Sequence, residues 1–77
     1  MDEKQYSSRM CFQQGLDLDS SDALAWKNLA GVGGGTVDTK QYTIVECLQK
    51  SLTLNAKDFE AWHDLGVAGG GIVNGKI

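Results

Sequence analysis

Residues 4–39 and 40–75 are two copies of one 36-residue unit. Laid over one another they share fifteen positions: Lys, Gln and Tyr at the start, then Cys, Gln, Leu, Leu, Asp, Ala, Trp, Leu, three Gly and Val. Lys76 repeats Lys40 and Lys4, so residues 76–77 open a third period. A repeat of this length restricts the fold, because one such unit cannot bury its apolar face alone and must stack on its neighbours. Each copy reads as helix, forced turn, helix. The expectation is an all-α helical-repeat solenoid of antiparallel helix pairs, with the whole of residues 1–77 as a single domain.

The spacing of apolar residues places the elements. Cys11, Phe12, Leu16 and Leu18 recur at helical intervals, as do Ile44, Cys47, Leu48, Leu52 and Leu54. Thr43 followed by Glu46 is a capping box, and Ser7 keeps the hydroxyl in the first copy, where Met10 replaces the glutamate. Gly15 falls inside the first helix and weakens it by about 1 kcal/mol relative to Ala. Asp22 and Asp58 are the expected caps of the helices carrying Ala25, Trp26, Leu29 and Val32, and Ala61, Trp62, Leu65 and Ala68. Helices are thus predicted over residues 7–18, 22–32, 42–54 and 58–68, with no strand. The glycine triplets at 33–35 and 69–71 should cap the second and fourth helices through positive φ or close backbone approach, with Val37 and Val73 tucked beneath.

The pattern resembles the tetratricopeptide repeat, whose signature is W-x2-L-G-x2-Y, then A-x3-F, then P, over 34 residues. Trp62, Leu65 and Gly66 match the opening; Trp26, Leu29 and Ala30 match it with Ala for Gly. Ile44 with Leu48, and Ser8 with Phe12, stand where the second helix has its small residue and its aromatic. Gly33 and Gly69 replace the tyrosine, Ser20 and Ala56 replace the proline, and the glycine loop is two residues longer, which makes this a glycine-rich variant. The resemblance implies a right-handed stack whose concave face, lined by the Trp-bearing helices, grips a partner's peptide. Lys27, Asn28, His63 and Asp64 are the residues this face offers. A carboxylate clamp of Lys and Asn, known in part of the family, would find Gly31 and Val67 where it wants a further asparagine.

Charge and composition narrow the partners. Ten acidic and seven basic residues give a net charge of −3, and the basic residues do not cluster, which argues against nucleic acid and anionic membrane. No apolar run approaches the roughly 20 residues of a membrane span, and acids occupy the N-terminus where a secretory signal is basic, so the chain reads as cytoplasmic. Residues 70–76 fit G-x-x-x-x-G-K, but a helix precedes them and Ile77 follows the Lys, so nucleotide binding ranks a distant third among the functions. Cys11 and Cys47, one period apart, are expected on buried faces of equivalent helices as reduced core thiols; a disulfide would need their sulfurs to face each other. One histidine with scattered carboxylates suggests neither a metal site nor a catalytic pocket, so no cofactor and no enzyme activity are expected.

Two functions then compete: a peptide-binding adaptor and a self-assembling structural module. The phase of the repeat favours the second. The chain begins on a covering helix and ends on a helix that nothing covers, with no polar capping repeat. Cys11, Phe12 and Leu16 form one bare face; Trp62, Leu65, Val73 and Ile77 form the other. One molecule's front therefore fits another's back, with residues 74–77 of one chain meeting residues 1–5 of the next. Such a contact is heterologous and grows a filament unless it closes into a ring or a domain-swapped dimer.

Overall fold

A computed structural model describes residues 7–70. The elements run α1 (Ser8–Leu18), α2 (Ala23–Gly31), β1 (Gly35–Val37), β2 (Lys40–Tyr42), α3 (Ile44–Leu54) and α4 (Phe59–Val67). The protein is mostly helical. The helices pack in chain order, α1 on α2, α2 on α3 and α3 on α4, with the α2–α3 contact the most extensive.

The 36-residue period is visible bond by bond. Ser7 and Thr43 cap α1 and α3, each hydroxyl accepting from an amide three residues on, and Glu46 returns to the Thr43 amide to complete the box. Asp22 and Asp58 cap α2 and α4 through side-chain oxygens that accept from Ala25 and Ala61. The amides of Asp19 and Asn55 close α1 and α3 on the carbonyls of Gly15 and Ser51. In each copy the indole Nε1 donates back across the interhelical turn, Trp26 to the Ser20 carbonyl and Trp62 to the Ala56 carbonyl, both at 2.8 Å. Gly33 and Gly34, with φ of 99° and 86°, donate to Ala30 and Leu29; Gly69 and Gly70, at 112° and 78°, donate to Gly66 and Leu65. This pair of bonds is a Schellman cap, which needs a left-handed residue and so uses glycine.

The expectation of no strand is corrected between α2 and α3. Gly35, Thr36 and Val37 pair antiparallel with Tyr42, Gln41 and Lys40. Asp38 and Thr39 turn the hairpin with φ of 50° and 67°, the two positive values of a type I′ turn, whose twist matches the strands it joins. The third helix consequently begins at Ile44 rather than at residue 42. Polar side chains of α1, four residues apart along one face, hold the hairpin in place. Arg9 Nε donates to the Gly34 carbonyl at 2.9 Å, the Thr36 amide donates to Gln13 Oε1 at 2.8 Å, and the Asp38 amide to Asp17 Oδ1 at 2.7 Å. Val37 lies beneath the helices, 2 % exposed, as the loop reading required.

The core joins residues from both copies: Leu16, Trp26, Leu29, Ala30, Val37, Cys47, Leu48, Leu52, Ala61 and Leu65. Tyr42 packs edge-on against Trp26 with ring centroids 4.8 Å apart. Ser51, the buried polar side chain of this core, donates through Oγ to the Ala23 carbonyl of α2 at 2.8 Å, so α3 is tied to α2 by a bond as well as by packing.

Candidate functional site

Because the two copies share sequence, each position in one is a control for its equivalent in the other, and the differences in burial locate surfaces that the described residues leave uncovered. Cys47 is fully buried in the core, whereas Cys11, its equivalent, is exposed. Trp26 is 2 % exposed under α3 and Tyr42; Trp62 is 39 % exposed. Ser51 and Ala30 are buried, while their equivalents Gly15 and Gly66 lie open. The expectation that both cysteines are core residues thus fails for Cys11. It fails because helical periodicity identifies the face, and the described residues place no helix across that face of α1.

The residues expected to form the two bare surfaces divide. Cys11 and Trp62 are accessible. Phe12 is half-buried against the core, and Leu16 and Leu65 are buried by their own chain, so these three support the faces rather than present them. Leu65, 3 % exposed, belongs to the core as Leu29 does, which corrects its placement beside Trp62 on open surface. Val73 and Ile77 lie outside the described residues. Phe59 was not anticipated. It opens α4 at 80 % exposure, one turn before Trp62 and two before Gly66, on the stripe that in α2 is formed by Ala23, Trp26 and Ala30 and covered by α3. The alignment holds the signal: a phenylalanine stands where the other copy has alanine.

The four residues proposed for peptide contact sit on or beside α2 and α4. Lys27, His63 and Asp64 line a recess of about 370 Å³ with Phe59 and Glu60, and an adjoining apolar groove of about 360 Å³ runs over Ala30, Leu48 and Val67. Asn28 is half-buried on α2. Lys27 is already engaged: its Nζ lies 2.9 Å from Asp58 Oδ2 and 3.3 Å from Glu60 Oε1. The Asp58 bond raises the Lys27 pKa, with burial the next largest effect and opposing it, and the Glu60 bond adding to the rise; Lys27 lowers the pKa of Asp58 against an opposing effect of burial, helped by the capping amides of Ala61 and Glu60. An ammonium held between two carboxylates is a poor receptor for a third, which removes the basis for a carboxylate clamp.

A groove of about 680 Å³ follows the glycine loop, between α1, the hairpin and the start of α3. Its guanidinium, from Arg9, is taken up by the carbonyls of Val32 and Gly34. Burial, then the Glu46 charge, pushes the Cys47 thiol up to about 11, so it is a protonated core group. Among the described residues no three His, Cys, Asp or Glu side chains gather as a metal ion would require, and no helix is long and apolar enough to cross a membrane. Of the G-x-x-x-x-G-K stretch only Gly70 lies within the described residues, as part of the α4 cap. Comparison with family models, with curated proteins and with solved structures finds no match to the chain.

Proposed function

We propose that this protein is a non-enzymatic tetratricopeptide-like module that associates with further copies of itself, head to tail, through the open faces of α1 and α4. One observation carries the reading: identical residues in the two copies are buried or bare according to whether a helix lies across them. Cys47 and Trp26 are buried where α3 packs on α2, whereas Cys11 and Trp62 are left exposed by the described residues. Setting α1 of one molecule against α4 of another gives each bare residue the neighbour that its equivalent already has. Apolar surface of this kind is stabilised by removal from water at roughly 25 cal/mol per Å². The contact joins unlike patches, so it propagates, and a filament is the expected product, with a ring or a domain-swapped dimer as closed forms.

Light scattering over a concentration series, followed by negative-stain imaging, tests this. Mass should rise with concentration in steps of 8.3 kDa. A monodisperse monomer at millimolar concentration would refute it. Leu65 and Leu16 are unsuitable mutation sites because they belong to the core; Trp62→Asp, on an exposed position, should block growth without unfolding the chain.

The α2–α4 recess supports a second reading, a peptide adaptor. With Asp58, Glu60 and Asp64 around it and Lys27 already paired, the recess suits a peptide with a basic residue beside an apolar one. Calorimetric titration with such a peptide, and with an acidic C-terminal peptide as control, separates this from a carboxylate clamp.

A further inference from the structure

The internal α2–α3–α4 arrangement is a template for the joint between molecules, and the 36-residue offset says which residues would occupy it. Inside the chain, Ser51 of α3 meets Ala23 of α2, with Ser51 Oγ 2.8 Å from the Ala23 carbonyl. At the joint the same two places fall to Gly15 of one molecule and Phe59 of another. Both members of the pair change, and in opposite directions. Nothing among the described residues requires glycine at position 15: it sits in a helix interior, where glycine is an unfavourable residue, with no positive φ, and an added Cβ would meet nothing within 4 Å. Phe59 likewise is left 80 % exposed by the described residues. A ring without a seat on one face and a missing side chain on the other are complementary.

The polar edge of the template changes in step. Inside, Lys27 bonds Asp58 and Glu60. At the joint these places fall to His63 of one molecule and to Asp22 and Leu24 of the next. Asp22 uses Oδ1 to cap Ala25, as Asp58 uses its own Oδ1, which leaves Oδ2 in the position that takes the Lys27 bond in the other copy. Leu24, 60 % exposed, stands where the internal contact has a carboxylate. The joint is therefore more apolar than the internal contact while keeping one donor opposite one carboxylate.

We infer that the head-to-tail joint is a size-swapped copy of the internal helix contact, in which Phe59 of one molecule seats over Gly15 of the next and His63 faces Asp22. This register rests on the self-association reading above, and it explains why the contact selects another copy of this chain: a face with serine at the Gly15 position would not admit the ring.

The test is sedimentation equilibrium on the full chain and four variants. Phe59→Ala should weaken association about 30-fold, as for a central aromatic anchor. Gly15→Leu should weaken it at least as much by filling the seat, and the double variant should recover most of the combined loss. His63→Lys, which restores the internal Lys–Asp pairing, should tighten the joint by roughly threefold. Positions 15, 59 and 63 are exposed in the single chain, so each variant should keep its far-UV circular dichroism. Should Gly15→Leu lower that signal, Gly15→Ala, a better helix former, replaces it and must still weaken association. A wild type that stays monomeric overturns the self-association reading itself. A wild type that associates while the single variants match it, or while the losses add in the double variant, overturns this register and leaves that reading standing.

Discussion

Gly34 is held to glycine by two independent constraints, and Gly70, its equivalent, by one, so changing each to alanine separates them. Both adopt positive φ, 86° and 78°. A left-handed conformation costs an alanine about 1 to 2 kcal/mol, offset by about 0.4 to 1 kcal/mol because alanine also restricts the unfolded chain. Gly70→Ala should therefore destabilise by roughly 1 kcal/mol, since its added Cβ meets nothing within 4 Å. At Gly34 the Cβ would sit 2.3 Å from the Tyr42 carbonyl oxygen, a backbone atom of β2 that cannot rotate aside. Relief requires β2 to move off the Gly35–Tyr42 pairing and to carry the Tyr42 ring away from Trp26. Overpacking of this sort adds about 1 to 3 kcal/mol, for a total near 2 to 4. Urea unfolding followed by circular dichroism, at one dilute protein concentration so that association does not contribute, gives both values by linear extrapolation. Gly34→Ala and Gly70→Ala agreeing within about 0.5 kcal/mol would show that the hairpin does not press on the helix cap, and the steric argument would fail.

Thr39, a β-branched residue at φ 67°, should gain about 0.5 to 1 kcal/mol on replacement by glycine, seen as a rise of a few degrees in Tm. Trp26→Ala should cost about 3 to 5 kcal/mol and Trp62→Ala only about 1 to 2 in the single chain, a difference read by thermal unfolding; equal losses would mean that Trp62 is as buried as Trp26. A thiol reagent at pH 8 should modify Cys11 at once and Cys47 only after denaturation, and Cys11 should become protected as the concentration enters the assembling range. The folded-state pKa of Asp58 lies below its ordinary 3.8, so the stability it contributes is complete above that value and is lost as pH falls through the lower one. For Lys27 the folded value lies above 10.5, so its contribution holds below that pH and is lost as pH rises through the folded value; acid titration of Asp58→Asn should lack the first of these losses.

The four helices and their caps were legible because each has a local cause. A hydroxyl or carboxylate three residues ahead of an apolar-periodic run has few other uses, and Ser7, Asp22, Thr43 and Asp58 all cap as read. The hairpin was not legible at its own position. Its strands are three residues long, too short for alternation to declare itself, and its turn places aspartate and threonine where positive φ is ordinarily the work of asparagine and glycine. The signal was one period away: the aligned pair in the second copy is Asn74 and Gly75, the dipeptide most favoured in such turns. A repeat should be read with its copies superposed, since what one obscures the other can spell out.

The same superposition explains why burial was the harder property to read. Periodicity assigns Cys11 and Cys47 to equivalent faces, and correctly so, because face is a property of the helix that carries the residue. Burial is a property of whatever lies opposite. Cys47 is buried in the core, and Cys11 is left exposed by the described residues. Where evolution repeats a side chain but the fold withholds its neighbour, two explanations remain: the residue is a relic of duplication, or its neighbour comes from outside the chain. A relic would drift independently of its counterpart across the missing contact. Relative to Ser51 and Ala23, Gly15 is smaller and Phe59 larger. Positions that share no contact within one molecule have no physical means of compensating each other there. In the proposed register the two would meet between molecules, and the volume-swap experiment asks whether they do.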